Sequence, residues 1–257
     1  MRSTVRVGRI PNAARESEAG RGFHGVRSAF TLLEMLVVIS VIAGLSGFLL
    51  VGLGGRGSSA ALEAGQATVV NLITSARLKA VSTGRHCRVL VAADPAAGEG
   101  YLRELVLQVA RQPGANPAEW ATVQVVSLPP GVYVVPASLG STPGLVAEPA
   151  HWRRVSDPGE DLVSGVFRNQ TVLAALEGEG NVRAWTGVCY TSNGTLAPLA
   201  AGPPPRGMLI LANGAGREAG SRAPGDPPVR LFNPDGVRGV VLGAYGIPAL
   251  LNGRQSF

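Results

Sequence analysis

The hydrophobic pattern of the chain changes three times and thereby divides it into four segments. Residues 1–29 show no apolar periodicity, and residues 30–57 begin with an almost unbroken apolar run. Residues 58–84 alternate with a helical period, and residues 85–257 consist of short β-type runs between turn residues. We therefore predict a basic N-terminal segment, an apolar helix, an amphipathic helix and a β-rich globular domain within these boundaries.

The apolar run covers residues 30–53 and carries a single carboxylate, Glu34. At a helical rise of about 1.5 Å per residue the run would extend about 36 Å, which exceeds the ~30 Å hydrocarbon core of a bilayer. Because an ionised carboxylate is costly in a spanning helix, such a residue is usually retained for a task. We expect a membrane-spanning helix in which Glu34 has a specific role. An ordinary secretory signal peptide and a plain signal anchor are the alternatives.

Charge is concentrated ahead of the apolar run. Residues 1–29 contain six arginines and two glutamates, a net charge of +4 out of +6 for the whole chain. Because positive flanks stay on the cytoplasmic side of a membrane, this asymmetry predicts a cytoplasmic N-terminus and transfer of the rest across the membrane. The basic character of the chain therefore indicates topology more than nucleic-acid binding.

The segment at residues 58–84 has the pattern of an amphipathic helix. Its apolar residues follow one another at spacings of seven, four, three and four, and polar residues lie largely elsewhere. Gly84 then ends the helix. The apolar positions are Leu62, Val69, Ile73, Ala76 and Ala80.

The remaining residues predict an antiparallel sheet domain, because short β-type runs alternate with Gly, Pro, Asn and Asp. Long proline-bearing connections fall at 112–118, 136–161 and 198–206. Loops of this length are either recognition surfaces or insertions. The predicted strands are 88–93, 101–110, 121–128, 132–135, 162–167, 182–190, 208–211, 229–232 and 237–243.

Two cysteines, Cys87 and Cys189, fall on predicted strands. In an oxidising compartment, a disulfide between them would stabilise the fold by up to about 4–5 kcal/mol in the chain-entropy model. Two separate buried thiols are the alternative, because cysteine is among the most buried residue types. Spacing alone does not decide between the two.

No pattern in the sequence predicts catalysis. His86 and His151 have no partners at metal-ligand spacing, and nucleophile, phosphate-loop and dinucleotide motifs are missing. We therefore expect no enzymatic activity, no cofactor and no metal site.

Residues 29–36, with the sequence AFTLLEML, resemble the processing site of type IV prepilins and type II secretion pseudopilins. The resemblance implies cleavage between Ala29 and Phe30 by a prepilin peptidase/methyltransferase, so that residues 1–29 are a removed leader. It also implies N-methylation of Phe30. Glu34 would then act in assembly, by pairing with the amino terminus of a neighbouring subunit. The family usually has Gly before the cut, where this chain has Ala29.

The same resemblance implies an α+β, type IV pilin-like fold. A long N-terminal helix, with its first half spanning the membrane, would pack on an antiparallel β-sheet head. Residues 72–89 are similar to the helix-to-first-strand junction of H-type minor pseudopilins.

The resemblance therefore implies a minor pseudopilin of a type II protein secretion system. It would lie in the bacterial inner membrane with a single span and a periplasmic head, and enter a periplasmic pseudopilus. The implied partners are other pilins or pseudopilins, the inner-membrane assembly platform and secreted substrates.

Two other functions stay open. One is a minor pilin of a type IV or DNA-uptake pilus, and the other is an unprocessed membrane-anchored binding protein. In a DNA-uptake pilus, arginines of the head would contact phosphates, with binding that weakens steeply as salt rises. Those arginines are Arg217, Arg222, Arg230, Arg238 and Arg254.

Overall fold

The computed structural model describes residues 32–113, 119–140, 142–177, 180–200 and 202–257, without the side chains of residues 43–57 and 219. The predicted leader at residues 1–29 and the predicted cleavage site at Ala29 and Phe30 lie outside the described residues. The chain divides into two compact units, Met1–Leu49 and Leu50–Phe257.

The described residues form one α-helix followed by eleven β-strands, with short 3₁₀ turns between some of them. The helix α1 is Leu32–Thr83, and Gly84 follows it in the left-handed region at φ 63°. The strands are β1 (Cys87–Ala92), β2 (Glu104–Ala110), β3 (Trp120–Ser127), β4 (Val132–Val134), β5 (Thr171–Ala174), β6 (Arg183–Tyr190), β7 (Leu196–Ala197), β8 (Gly207–Gly216), β9 (Val229–Leu231), β10 (Arg238–Leu242) and β11 (Pro248–Asn252).

These strands build two antiparallel sheets. In the first sheet the order is β3-β2-β1-β6-β5, and the short β7 also pairs with β6. In the second sheet the order is β11-β10-β8-β4, and β9 also pairs with β8. Each sheet therefore has one long strand, β6 or β8, that pairs with three others.

The first sheet is buried on both faces along its central strand β1, all six residues of which are buried. Cys87, Val89 and Val91 face one apolar cluster, and Leu90 and Ala92 face another. This is why five of the six residues of β1 are apolar instead of every second one, with Arg88 as the exception. Close strand packing also explains Gly187 on β6, because a Cβ at that position would collide with the carbonyl oxygen of Val89.

The C-terminal part of α1 packs into the core of the second unit. Its five predicted apolar residues are buried in a cluster that also contains Leu107 of the first sheet and Leu209 and Val240 of the second. Gly65 permits close approach to β4, since a Cβ there would lie 2.9 Å from Cγ1 of Val132. The buried helical residues are Leu62, Val69, Ile73, Ala76 and Ala80.

The predicted fold class is wrong. We predicted an α+β, type IV pilin-like fold, in which a long helix with a membrane-spanning first half packs on an antiparallel sheet. The described chain is mainly β-structure in two antiparallel sheets. No helix among the described residues is long and apolar enough to be the membrane-spanning helix that the prediction required. The physical reason lies in β8, whose buried residues pair with β4, β9 and β10 and so build a second sheet instead of extending the first.

The predicted location, a single-pass protein of the bacterial inner membrane, is also contradicted. Among the residues that the structure describes, no helix is both long and apolar enough to cross a bilayer. The cytoplasmic N-terminus and the periplasmic head depended on that span and are dropped with it.

Eight of the nine predicted strands overlap observed ones, with shifts of a few residues at their ends. The prediction at 162–167 is wrong, because Gly165–Phe167 forms a 3₁₀ turn. The strands β5, β7 and β11 were not predicted. They are short edge or accessory strands, and β5 and β11 expose part of their apolar side chains, which weakens their pattern in the sequence.

Candidate assembly surface and arginine sites

The start of α1 exposes every large apolar side chain that the structure describes there. We call residues 32–42 the apolar segment. The exposed fraction reaches 85% at Leu32, 74% at Leu33 and 64% at Ile39. Because these residues follow one another along three helical turns, they cover all sides of the helix rather than one stripe. The other large apolar residues of the segment are Met35, Leu36, Val37, Val38, Val41 and Ile42.

Glu34 lies in the first turn of α1 and is exposed. A carboxylate is favourable at this place, because the N-terminal end of a helix carries unsatisfied N–H groups and a partial positive charge. It is the one acidic residue among residues 32–42. The apolar segment is therefore an exposed apolar surface with one carboxylate, that of Glu34, near its N-terminal end.

The structure has Cys87 and Cys189 as free cysteines. They lie on neighbouring strands, but Cys87 pairs with Tyr190, and Cys189 pairs with Arg88. Because directly opposed residues share a face and successive residues alternate, the two thiols lie on opposite faces of the sheet. Of the two possibilities that the sequence leaves open, a disulfide or two buried thiols, the structure has the two buried thiols.

Burial raises the pKa of both thiols. The pKa of Cys87 rises to about 11, and that of Cys189 to about 12, because each thiolate would lose its hydration. Lys79 lowers the first and Arg88 lowers the second, but both effects are smaller than that of burial. At neutral pH both groups are therefore protonated and poor nucleophiles.

A row of neighbouring side chains, most of them polar, crosses the first sheet at Arg88. No pattern in the sequence predicted this row. The register aligns Thr122, Gln108, Arg88 and Cys189 on four neighbouring strands. The Arg88 Nε donates to Gln108 Oε1 at 2.8 Å, and the guanidinium lies 4.1 Å from the ring centroid of Trp120. Burial lowers the pKa of Arg88 to about 10. These contacts satisfy a buried cation within the fold, so the row is structural.

The five arginines predicted for phosphate contact do not form one free basic patch. Arg217 pairs with Asp226 at 2.8 Å, Arg254 with Asp235 at 2.7 Å, and Arg238 with Glu63 at 3.6 Å. Arg222 and Arg230 have no ion pair with any described residue. Three of the five positive charges are thus already offset by carboxylates, which reduces their attraction for phosphate.

Neither histidine of the described chain belongs to a metal cluster. His151 pairs with Glu148 at 2.8 Å through Nδ1 on an exposed turn. Within the described ranges, no group of three or more His, Cys, Asp or Glu is placed to hold a metal ion.

Comparisons of the chain with protein-family models, with curated proteins and with solved structures found no match.

Proposed function

We propose that this chain is a structural subunit, a minor pseudopilin of a type II protein secretion system, which joins a filament after a prepilin peptidase cuts between Ala29 and Phe30. The observation that carries the proposal is the apolar segment with Glu34 at its start. The proposal concerns the assembly role of that segment.

The exposure of the apolar segment supports a role in assembly. A helix that is apolar on all sides is stable only when other apolar groups surround it, and exposed apolar patches of this kind mark interaction sites. Nine large apolar side chains within eleven residues leave no polar face to turn toward water. The same segment of neighbouring subunits is the simplest partner, because it offers the same length and apolarity.

Glu34 supports the same role through its charge. Inside a bundle of apolar helices a carboxylate is poorly solvated, and a charge that is buried there without an opposite charge costs about 3–5 kcal/mol. Cleavage before Phe30 creates an ammonium group four residues from Glu34 in each subunit. Pairing of this ammonium with Glu34 of a neighbour would satisfy both charges and fix the register between subunits. The further partners of this function are the prepilin peptidase/methyltransferase, other pseudopilins and the assembly platform.

Replacement of Glu34 by Leu tests the proposal. The chain is expressed with a prepilin peptidase and partner pseudopilins, and its amount in sheared filaments is measured. Loss of the carboxylate leaves an ammonium unpaired in an apolar bundle, so we expect incorporation to fall roughly tenfold or more. Glu63→Gln is the matched control, because Glu63 lies on the same helix with a 70% exposed side chain. Incorporation of Glu34→Leu at the wild-type level would refute the proposal.

A further inference from the structure

A cleft of about 480 Å³ lies on the surface of the second unit between two loops. One wall is the segment around Gln170, and the other is formed by three consecutive prolines, Pro203, Pro204 and Pro205. Arg168 and Arg206 both line the cleft. Its volume lies within the range of ordinary ligand sites.

The charge of this cleft is entirely positive. Both arginine side chains are exposed, and neither makes an ion pair or side-chain hydrogen bond to a described residue. No aspartate or glutamate lines the cleft. Two guanidinium groups without counter-charges at one cleft favour an anion, because Arg offers forked N–H donors that match carboxylate and phosphate oxygens.

The two acidic residues that line a neighbouring cavity are already paired. That cavity shares Arg168 with the cleft and also contains Glu160 and Asp161. Glu160 pairs with Arg154 at 3.2 Å, and Asp161 pairs with Arg153 at 2.9 Å. Arg168 therefore keeps its charge available for a ligand.

Buried contacts hold the two walls in place. Gln170 is 1% exposed, and its Oε1 accepts from the backbone N–H of Leu199 at 2.7 Å. Its Nε2 donates to the carbonyl oxygen of Pro203 at 3.4 Å, which joins one wall to the other. Next to it, Asn169 adopts a left-handed backbone at φ 60° and lines the cleft. Fixed walls reduce the ordering cost of binding.

We propose that this cleft binds an acidic peptide segment of a partner protein, with carboxylates held by Arg168 and Arg206. The site goes beyond the proposed assembly function, because it lies away from the apolar segment in sequence and uses charge instead of apolar contact. A peptide fits better than a phosphate group, because phosphate sites are commonly built from clustered backbone N–H groups. Three prolines supply no N–H donor on their wall.

Peptide binding to the full chain tests this site. The probe is a fluorescein-labelled ten-residue peptide carrying four glutamates, and fluorescence anisotropy gives its dissociation constant. The same peptide with glutamines in place of the glutamates is the uncharged control. Arg168→Gln/Arg206→Gln removes both donors. Arg85→Gln/Arg230→Gln is the matched variant, because it removes two exposed arginines that do not line this cleft.

We expect the acidic peptide to bind wild type and the Arg85/Arg230 variant alike, and to bind the Arg168/Arg206 variant roughly tenfold or more weakly. Binding should also weaken as salt rises, and the glutamine peptide should not bind. Equal weakening in both double variants would show non-specific charge attraction and overturn the proposal. Absence of peptide binding to wild type would overturn it too. Displacement of the peptide by inorganic phosphate at a lower concentration than by unlabelled peptide would reassign the cleft to phosphate.

Discussion

At the scale of single residues, burial decides the chemistry of the two thiols. Cys87 and Cys189 are 0% and 4% exposed, and the register of β1 and β6 places them on opposite faces of one sheet. A disulfide would require one strand to rotate or slip, which would move its whole apolar set to the other face. The fold therefore keeps both thiols free without any need for a reducing environment.

The raised pKa values predict that stability falls in alkali. The folded thiols titrate near pH 11 and 12, whereas exposed ones titrate near 9.0, so above pH 9 the unfolded state binds fewer protons than the folded state. The free energy of unfolding should then drop by about 2–3 kcal/mol between pH 8 and pH 10, as urea denaturation of the full chain would measure.

The double variant Cys87→Ala/Cys189→Ala isolates this effect, because it removes both titrating thiols. Its free energy of unfolding should change much less than that of wild type over the same pH interval, whatever its absolute stability. A steep wild-type decrease that the double variant retains would assign the pH dependence to other groups. A mass change of the native chain on reduction would show a disulfide and contradict the structure.

At the scale of elements, the period of the apolar residues predicts most strands but not their pairing. The sequence predicts the buried strands β1, β2, β6 and β8, because almost every residue in them is apolar or small. The division of the strands into two sheets depends on contacts between residues far apart in sequence, such as Leu211 with Arg238. No local pattern contains that information, and for this reason the predicted fold class is wrong.

The two candidate sites also differ in whether a local sequence pattern predicts them. Glu34 and the apolar segment were predicted, because they form a local pattern within one continuous stretch of the sequence. Arg168 and Arg206 were not predicted, because the fold brings them to one cleft from positions 38 residues apart. The three prolines at 203–205 predict a rigid loop. No local sequence pattern indicates that this loop lies at the same cleft as Arg168.

Gln66 joins α1 to the second sheet through two hydrogen bonds. Its side chain is 3% exposed, and its Nε2 donates to the carbonyl oxygens of Gly239 at 2.7 Å and Leu251 at 2.9 Å. Those two residues face each other on β10 and β11. One amide group thus fixes the helix against a strand pair.

Gln66→Met should lower the free energy of unfolding by about 2–3 kcal/mol, because it keeps the volume and removes a donor from one buried and one partly buried carbonyl group. Urea denaturation of the full chain measures the loss. Asn71→Met on the exposed side of the same helix is the control and should change stability by less than about 0.5 kcal/mol. Equal effects of the two substitutions would mean that the Gln66 contacts do not carry stability.

At the scale of the whole molecule, the two units differ in whether their apolar side chains are buried. The second unit buries its apolar side chains in three clusters between and beside its sheets. The first unit instead exposes the apolar side chains that the structure describes in it. A chain with one buried core and one exposed apolar segment gains stability by association, which is the property that a filament subunit needs.

The N-terminal residue of the mature protein decides whether the proposed cleavage before Phe30 takes place. The full chain is expressed with an active prepilin peptidase, recovered, and sequenced from its amino terminus, and a strain with an inactive peptidase provides the control. We predict one terminus at Phe30 carrying a single methyl group, and an uncut chain in the control strain. A terminus at any other residue, or an unprocessed chain beside the active peptidase, would contradict this prediction.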